Sequence, residues 1–413
     1  MLKKINVKQL RIGMYIQELC SSWMDSPFWQ KSFMLENQAS LDKVNISKIQ
    51  EVWIDTNKGL DTVIDRIVID ASSKPEEKLV PAVKIPMLFK DIRPVSMDEE
   101  MVRAVNIVGN SKQAVFSMFN EARMGNAVDA DKAMPLVEEI ASSVMRNPGA
   151  LIGLARLKTA DDYTYMHSVA VCALMIALSR QLGLDDDKTR EAGLAGLLHD
   201  IGKMAVDLDI LNKPGKLTDA EFISVKEHPA AGHRMLLEAN GVGEIALDVC
   251  LHHHEKMDGS GYPDRLSGDQ ISLYARMGAV CDVYDAITSN RPYKQGWCPA
   301  ESLHKMSEWS KGHLDEAVFQ AFVMSIGIYP VGTLVRLQSG RLGVVIEQQV
   351  GKSLMSPKVR VFFSTKSSTY ITPELLDLAG PGLQDKIVMR EDADKWDLKD
   401  INRFWLGDAV NPT

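Results

Sequence analysis

The sequence lacks an excess of basic residues, a long apolar run and a secretory signal. It carries 47 Lys and Arg against 55 Asp and Glu, a formal net charge of −8. This balance argues against a general binder of nucleic acids or anionic membranes, because such proteins need a basic face. The longest apolar run, from Val169 to Leu178, is about half as long as a membrane span requires. We therefore expect a cytoplasmic protein with no membrane span and no nucleic-acid polymer as partner.

The sequence also lacks a CxxC pair, and its five cysteines are odd in number. Such usage is typical of a reducing compartment, where thiols stay free and mostly buried. At 413 residues the chain is too long for one ordinary core, so two or three domains are expected.

Histidine is absent before His167 and after His313, and seven of the nine histidines lie between His167 and His254. Aspartates are interspersed among them. Neutral imidazole and carboxylate are the ligands of divalent metals such as Zn, Fe, Mn and Ni. This concentration in one segment indicates a metal-dependent enzyme.

Composition and periodicity divide the chain into six segments. They are an α/β or β-rich unit (1–70), a linker rich in Ser, Lys, Glu and Pro (71–97), a helical connector (98–149), a helical domain (150–328), a small antiparallel β unit (331–380) and a C-terminal tail (381–413). The expected fold class is mainly α, with a small N-terminal α/β unit and a small C-terminal unit that resembles a β-barrel.

Local signals place the candidate ligands on helices. Thr218 and Glu221 form a capping-box pattern, and the helix that starts there is expected to end near His228, before a proline. Asp282 and Asp285 are three residues apart on a later helix and therefore on similar faces.

Several helices that each contribute one or two ligands to one interior point are a common way to build a two-metal site. A lone histidine on a helix is more often structural than a ligand, so the prediction depends on the whole set. The set comprises His167, His199, Asp200, His228, His253, His254 and Asp282.

Longer motifs add a resemblance to a known family. Residues 199–203 (HDIGK) resemble the signature of HD-superfamily metal phosphohydrolases. Residues 253–263 (HHEKMDGSGYP), 282–294 and 213–218 resemble one subfamily, the HD-GYP proteins. The resemblance spans about residues 150–325 and implies an HD-GYP helical bundle. The N-terminal unit is similar to a domain of unknown function that often precedes HD-GYP domains.

The resemblance implies a phosphodiesterase that hydrolyses the bacterial second messenger cyclic di-GMP to pGpG and on to GMP. It implies the same seven ligands, with Asp200 bridging two divalent metals, and it favours Fe or Mn, although Zn or Ni also suit these ligand types. Lys203, Arg291 and Lys294 match positions that contact the phosphates of the substrate. The loop Gly261–Pro263 is implied as a surface for diguanylate-cyclase domains.

One position departs from the pattern of some relatives. Those relatives carry a Glu four residues before the first ligand histidine and bind a third metal, whereas this chain has Tyr163. We therefore expect two metals. Glu255 is expected to fix the tautomer of a ligand histidine. Asp285 has the same role or contacts the substrate or a lysine, and His252 is expected to lie outside the ligand set.

The expected chemistry assigns Asp200 and Lys203 to catalysis. Two metals roughly 3.5–4 Å apart stabilise both the attacking and the leaving oxygen, and the hydroxide that bridges them attacks phosphorus in line. Lys203 is expected to stabilise charge on a phosphate oxygen, since a lysine of ordinary pKa is a poor acid at pH 7.

Two other functions stay open at this point. A degenerate HD-GYP protein would act as a sensor or an interaction scaffold, but a scaffold has no need of seven metal-type residues. An HD phosphohydrolase that acts on another cyclic dinucleotide or on a nucleotide is the other alternative.

Overall fold

The computed structural model describes residues 2–7, 10, 12–19, 33–35, 51–56, 58–59, 92–158, 163–213, 215–289, 296–349 and 351–407. The chain divides into two compact units, Met1–Pro81 and Ala82–Thr413. No helix among the described residues is long and apolar enough to cross a membrane.

The described part of the first unit is an antiparallel sheet. Its strands are β1 (Leu2–Asn6), β2 (Tyr15–Leu19), β3 (Phe33–Met34) and β4 (Glu51–Asp55), in the order β1-β4-β2-β3. Val52 and Ile54 are fully buried in β4, and Trp53 between them is partly exposed. This alternation is that of a strand with one face on a small core.

The second unit is mainly helical, as the sequence predicts. Its helices are α1 (Met97–Arg123), α2 (Ala130–Arg146), α3 (Pro148–Arg156), α4 (Tyr163–Gln181), α5 (Asp186–Leu198), α6 (Leu208–Leu211), α7 (Asp219–Lys226), α8 (His228–Leu237), α9 (Glu244–His252), α10 (Leu273–Thr288), α11 (Pro299–Trp309), α12 (Glu316–Ile326) and α13 (Arg403–Leu406). Short 3₁₀ turns lie at Ile201–Ala205, Gly268–Gln270 and Asp394–Trp396.

Helix α4 is the central element of this unit. Every residue from Met166 to Ser179 is buried, so the helix is enclosed on all sides. A helix that is apolar all round is stable only in such an interior. Because His167 lies in its first turns, this histidine is held by a rigid buried element.

The capping box at Thr218 and Glu221 is confirmed, since both reciprocal hydrogen bonds are present at the start of α7. The chain also breaks near His228, as predicted. However, α7 ends at Lys226 and His228 is the first residue of α8, with Pro229 in the first turn, where the missing amide costs no hydrogen bond.

The C-terminal strands form one open antiparallel sheet. They are β5 (Leu334–Leu337), β6 (Arg341–Glu347), β7 (Lys358–Ser364), β8 (Thr369–Asp377) and β9 (Ile387–Arg390), in the order β8-β7-β6-β5-β9. Strand β9 comes from the segment that the sequence predicts as a tail.

The predicted antiparallel unit is confirmed, but its barrel-like closure is wrong. Strands β8 and β9 are at opposite edges of the sheet, and most of β8 is exposed. Helix α13 contributes to the core beside the sheet, where Phe404 stacks on Phe362 of β7 at 3.9 Å between ring centroids. In a closed barrel, the apolar face of the sheet would be buried inside the barrel. Here α13 covers part of that face instead.

Candidate metal centre

The seven side chains predicted as ligands lie around one buried point. His167 is on α4, His199 and Asp200 follow α5, His228 opens α8, His253 and His254 follow α9, and Asp282 is on α10. Within the set, three trios each bring ligand atoms to within 4.8 Å of one another: His167, His199 and Asp282; His199, Asp200 and His253; His228, His253 and His254. We refer to the first trio as the first subsite and to the last as the second subsite.

Asp200 stands between the two subsites. Its Oδ2 is 3.3 Å from Nε2 of His167 and 3.3 Å from Nε2 of His199. Its Oδ1 is 3.3 Å from Nε2 of His228 and 3.8 Å from Nε2 of His253. Each carboxylate oxygen therefore faces a different pair of imidazoles, which is the geometry of a bridging ligand.

Asp282 belongs mainly to the first subsite. Its Oδ1 is 3.0 Å from Nε2 of His167 and 3.9 Å from Nε2 of His199. Its Oδ2 is 4.0 Å from Nδ1 of His254. The first subsite therefore has two imidazoles and a carboxylate of its own, whereas the second has three imidazoles.

Gly202 brings Asp200 close to His228. A Cβ at this position would lie 1.9 Å from the carbonyl oxygen of His228 and 2.4 Å from the amide nitrogen of Gly232. The 3₁₀ turn that follows Asp200 can therefore pack against α8 only because residue 202 has no side chain.

Backbone carbonyls set the tautomers of three candidate ligands. Nδ1 of His199 lies 2.8 Å from the carbonyl of Gly196, Nδ1 of His228 lies 2.7 Å from that of Val225, and Nδ1 of His253 lies 2.9 Å from that of Val249. A carbonyl only accepts, so each Nδ1 carries the proton. Each Nε2 then presents a lone pair to the centre, as a metal ligand must.

The charges around the centre also suit cations. Burial raises the pKa of the Asp200 carboxyl, but the Lys203 ammonium and His199 outweigh it and hold this pKa well below its usual range. Burial, followed by the charge of His228, lowers the pKa of His254 to about 3. Burial also lowers the pKa of His167, but hydrogen bonds to Asp200, Asp282 and Asp285 outweigh it and raise this pKa to about 10. In the metal-free centre, the carboxylates therefore stabilise a positive charge beside them.

Two buried atoms give the decisive test of whether cations fit. Nε2 of His199 and Oδ1 of Asp200 have no hydrogen-bond partner among the described residues. Buried polar atoms rarely lack a partner. Moreover, Oδ1 of Asp200 and the lone pair on Nε2 of His228 are two acceptors only 3.3 Å apart. A divalent cation between them would turn this repulsion into coordination, and imidazole with carboxylate suits Fe, Mn or Zn.

Comparison with known proteins supports this interpretation. Residues 136–318 match the HD domain, and residues 2–133 match a domain of unknown function (DUF3391). The chain is 55% identical to the cyclic di-GMP phosphodiesterase PA4108 of Pseudomonas aeruginosa, over 98% of this chain and 96% of that protein. The chain belongs to the HD-GYP family.

Two further HD-GYP relatives match shorter stretches. The cyclic di-GMP phosphodiesterase response regulator RpfG of Xanthomonas campestris pv. campestris is 41% identical over 35% of this chain and 39% of its own length. The 3'3'-cGAMP-specific phosphodiesterase 1 of Vibrio cholerae is 37% identical over 40% of this chain and 38% of its own length.

Of the three HD-GYP residues expected to contact phosphate, the structure describes only Lys203. Nζ of Lys203 lies 2.5 Å from Oδ2 of Asp200, at the border of the centre, with 23% of its side chain exposed. Arg291 and Lys294 lie outside the described residues.

The glycine-rich HD-GYP loop forms a turn and also contacts a candidate ligand. Gly259 has a φ of 76°, as the predicted turn requires. The ring of Tyr262 stacks on that of His254, with centroids 4.7 Å apart and 26° between the planes. Sequence reasoning missed this contact, because one aromatic residue in a turn gives no periodic signal.

The predicted role of Glu255 is wrong. Its Oε1 accepts a hydrogen bond from the amide of Asp264 at 2.7 Å. Backbone carbonyls fix the tautomers of His199, His228 and His253 instead, and Asp285 contacts His167. His252 lies outside the ligand set, as expected, and its ring bonds to Asp248 at 2.7 Å and to Asp264 at 3.1 Å. Both residues hold the HD-GYP loop through Asp264.

Asp285 combines two of the roles considered for it. Its Oδ2 lies 2.6 Å from Nδ1 of His167 and also pairs with Nζ of Lys158. No sequence pattern pointed to Lys158, which precedes α4. Tyr163, at the position where relatives with a third metal carry a Glu, stacks on His167 with centroids 5.8 Å apart.

Proposed function

We propose that the protein is a phosphodiesterase that hydrolyses cyclic di-GMP to linear pGpG, and on to GMP, at a centre of two divalent metal ions. One observation carries the proposal. A chain that is 55% identical to a cyclic di-GMP phosphodiesterase along nearly its whole length also brings all seven expected ligands together around Asp200.

The ligand sets favour one cation in each subsite. His167, His199 and Asp282 would hold one ion, and three imidazoles, those of His228, His253 and His254, would hold the other. Asp200 would be shared, since its two oxygens face different subsites. We propose Fe or Mn, and Zn and Ni also suit these donors. When bound, the two ions supply positive charge for the phosphate and acidify water near neutral pH.

The protein's own residues orient the substrate and compensate its charge. Asp200 fixes the separation of the subsites. Lys203 is half-buried beside it, so its ammonium is placed to neutralise a non-bridging phosphate oxygen. Arg291 and Lys294 are proposed, from the resemblance alone, to contact the phosphates of the substrate. The buried walls exclude water from the side of α4, where His167 is 2% exposed.

A second candidate substrate is 3'3'-cGAMP. The Vibrio cholerae phosphodiesterase that is specific for it is 37% identical to this chain over 164 residues. The full-length relative favours cyclic di-GMP. A scaffold without catalysis is disfavoured, because the buried ligand set serves no purpose in a scaffold and costs free energy to keep.

We also propose a diguanylate-cyclase domain as partner and the cytoplasm as location. The loop Gly261–Pro263 borders an open cavity of about 410 Å³, together with Ile223 and Arg265. This cavity offers apolar and charged groups to a partner domain. Binding of the isolated cyclase domain to the wild-type protein and to an Ile223→Asp variant would test the partner.

The decisive experiment is hydrolysis by protein purified without oxygen and supplied with Fe or Mn. Cyclic di-GMP and 3'3'-cGAMP would be compared, with the products separated by chromatography. Asp187→Asn serves as a matched control, since this carboxylate is 93% exposed and distant from the ligands. Metal-dependent pGpG or GMP from the wild type and the control, but not from Asp200→Asn, supports the proposal. Metal-loaded protein that hydrolyses only 3'3'-cGAMP, or neither substrate, would overturn it.

A further inference from the structure

Lys158 is a buried lysine beside the metal centre. The residue is 6% exposed and its side chain is fully buried. An ammonium group in a protein interior costs free energy unless it is paired and hydrogen-bonded. Lys158 meets this condition through an ion pair with Oδ2 of Asp285.

Asp285 in turn is held from three sides. Its Oδ2 accepts from Lys158 and is 2.6 Å from Nδ1 of His167. Its Oδ1 accepts from the hydroxyl of Ser289 at 3.2 Å. The carboxylate is therefore fixed in one orientation, with a cation on one side and a ligand histidine on the other.

This arrangement sets His167 apart from His199, His228 and His253. Those three rings are oriented by backbone carbonyls, which the helices themselves hold in place. The partner of His167 is a side chain, and a carboxylate can rotate about two bonds. The orientation of His167 therefore depends on what immobilises Asp285.

Lys158 also reaches the other neighbour of His167. Its Nζ lies 5.4 Å from the centroid of the Tyr163 ring, within cation–π range. That ring stacks on His167 with only 8° between the planes. Lys158 thus contacts both groups that flank the histidine.

We propose that Lys158 is a positioning residue for the metal centre. By pairing with Asp285, it holds the carboxylate that fixes the tautomer of His167 and aims its Nε2 at the first subsite. The inference rests on the proposed two-metal function.

The test is the affinity of metal-free protein for Mn²⁺, measured by calorimetric titration. Lys158→Met keeps the length of the side chain and removes its charge. We expect it to bind one of two Mn²⁺ ions about 10–100-fold more weakly, the range for loss of an outer partner of a ligand, with the other ion unaffected. Lys358→Met is the control, since it breaks a lysine–carboxylate pair with Glu347 at 2.8 Å in the C-terminal sheet.

A second variant keeps the test valid if Lys158→Met does not fold. Lys158→Met leaves the buried Asp285 carboxylate without its lysine, whereas the double variant Lys158→Met/Asp285→Asn removes both charges. Since Lys158 acts through Asp285, the double variant should bind Mn²⁺ as weakly as Asp285→Asn and no more weakly. In protein loaded with diamagnetic Zn²⁺, ring ¹⁵N NMR should show His167 protonated at Nδ1 in the wild type and a mixture of Nδ1- and Nε2-protonated rings in the double variant.

The outcomes separate the inference from the proposed function. If the wild-type protein bound no Mn²⁺, Fe²⁺ or Zn²⁺, the proposed function would be refuted. A wild type and a folded Lys158→Met protein that bind two ions equally well would overturn only the positioning role. The same conclusion would follow if the double variant kept wild-type affinity, or bound more weakly than Asp285→Asn.

Discussion

The ring of Tyr262 lies on the ring of His254, with 4.7 Å between their centroids. Three other candidate ligands are oriented by backbone carbonyls. His254 instead packs among the rings of His228, His253 and Tyr262. The loop that gives the HD-GYP family its name is therefore attached directly to the second subsite. A displacement of the loop would be transmitted to a candidate metal ligand.

Replacement of Tyr262 should weaken metal binding. Aromatic pairs contribute about 0.5–1.5 kcal/mol beyond burial, which corresponds to roughly 2–10-fold in affinity. Tyr262→Ala should therefore lose about that factor for one Mn²⁺ ion in a titration of metal-free protein. Tyr262→Phe keeps the ring and should bind as the wild type does. Equal affinity of the Ala and Phe variants would show that the stack does not hold His254.

Asp200→Asn should lose both hydrolysis and the stabilisation that metal provides. Its carboxylate faces both subsites, so the loss of activity should exceed the roughly 10–100-fold typical of outer partners of a ligand. For the wild type, metal at a hundred times its dissociation constant should add about 2.7 kcal/mol per site. Thermal unfolding with and without Mn²⁺ measures this. His304→Ala, at a histidine whose side chain is 69% exposed, is the control and should respond as the wild type does. An Asp200→Asn protein with a full metal response would contradict the bridging role.

Gly202→Ala should be strongly harmful, whereas Gly109→Ala should be harmless. A Cβ at Gly202 would come within 1.9 Å of the His228 carbonyl, so the 3₁₀ turn and α8 must separate. A Cβ at Gly109, in α1, would meet nothing within 4 Å, and alanine there should stabilise the helix by about 0.5–1 kcal/mol. Urea unfolding and Mn²⁺ titration of both variants test this. A Gly202→Ala protein with unchanged stability and metal affinity would refute the close packing.

Asp315 should make stability depend on pH under acidic conditions. It accepts hydrogen bonds from the amide of Val318 at 2.9 Å and from Arg276 of α10 at 2.8 Å. Burial raises the pKa of Asp315, but these donors outweigh it and hold the pKa below its ordinary value of 3.8. A depressed folded-state pKa means that the contribution is present above pH 3.8 and is lost as pH falls through the folded value.

The measurement is urea unfolding of metal-free wild type and Asp315→Asn between roughly pH 6 and pH 3. The variant should be less stable at pH 6, and the difference should shrink towards pH 3. A difference that stays constant would show that Asp315 does not titrate with folding.

The convergence of the seven candidate ligands could be predicted from the sequence because they are concentrated in one segment and lie in recognisable motifs. Each also sits at a helix end or on a buried helix face, where the local signals are strong. Lys158 and Tyr262 could not be found in this way. Their roles depend on which residues the chain brings beside them, Asp285 in one case and His254 in the other.

Glu255 shows the opposite error. It follows two ligand histidines directly, which suggests that it supports one of them. The loop instead folds back and presents the amide of Asp264 to its carboxylate. The expected barrel was wrong for a similar reason, since alternation in the segments of β5, β6 and β7 predicts strands but cannot reveal that α13 packs beside the sheet.

The close packing of α13 has a consequence for the borders of the catalytic part. The ring of Trp405 is fully buried against Gly153 of α3, where a Cβ would lie 2.9 Å from the ring. Asn147, between α2 and α3, donates to Glu347 of β6 at 3.4 Å. The HD-domain match ends at residue 318, yet a chain cut there would lose part of its own interior. The helices that carry the candidate ligands and the C-terminal sheet therefore share one interior, and neither part is complete without the other.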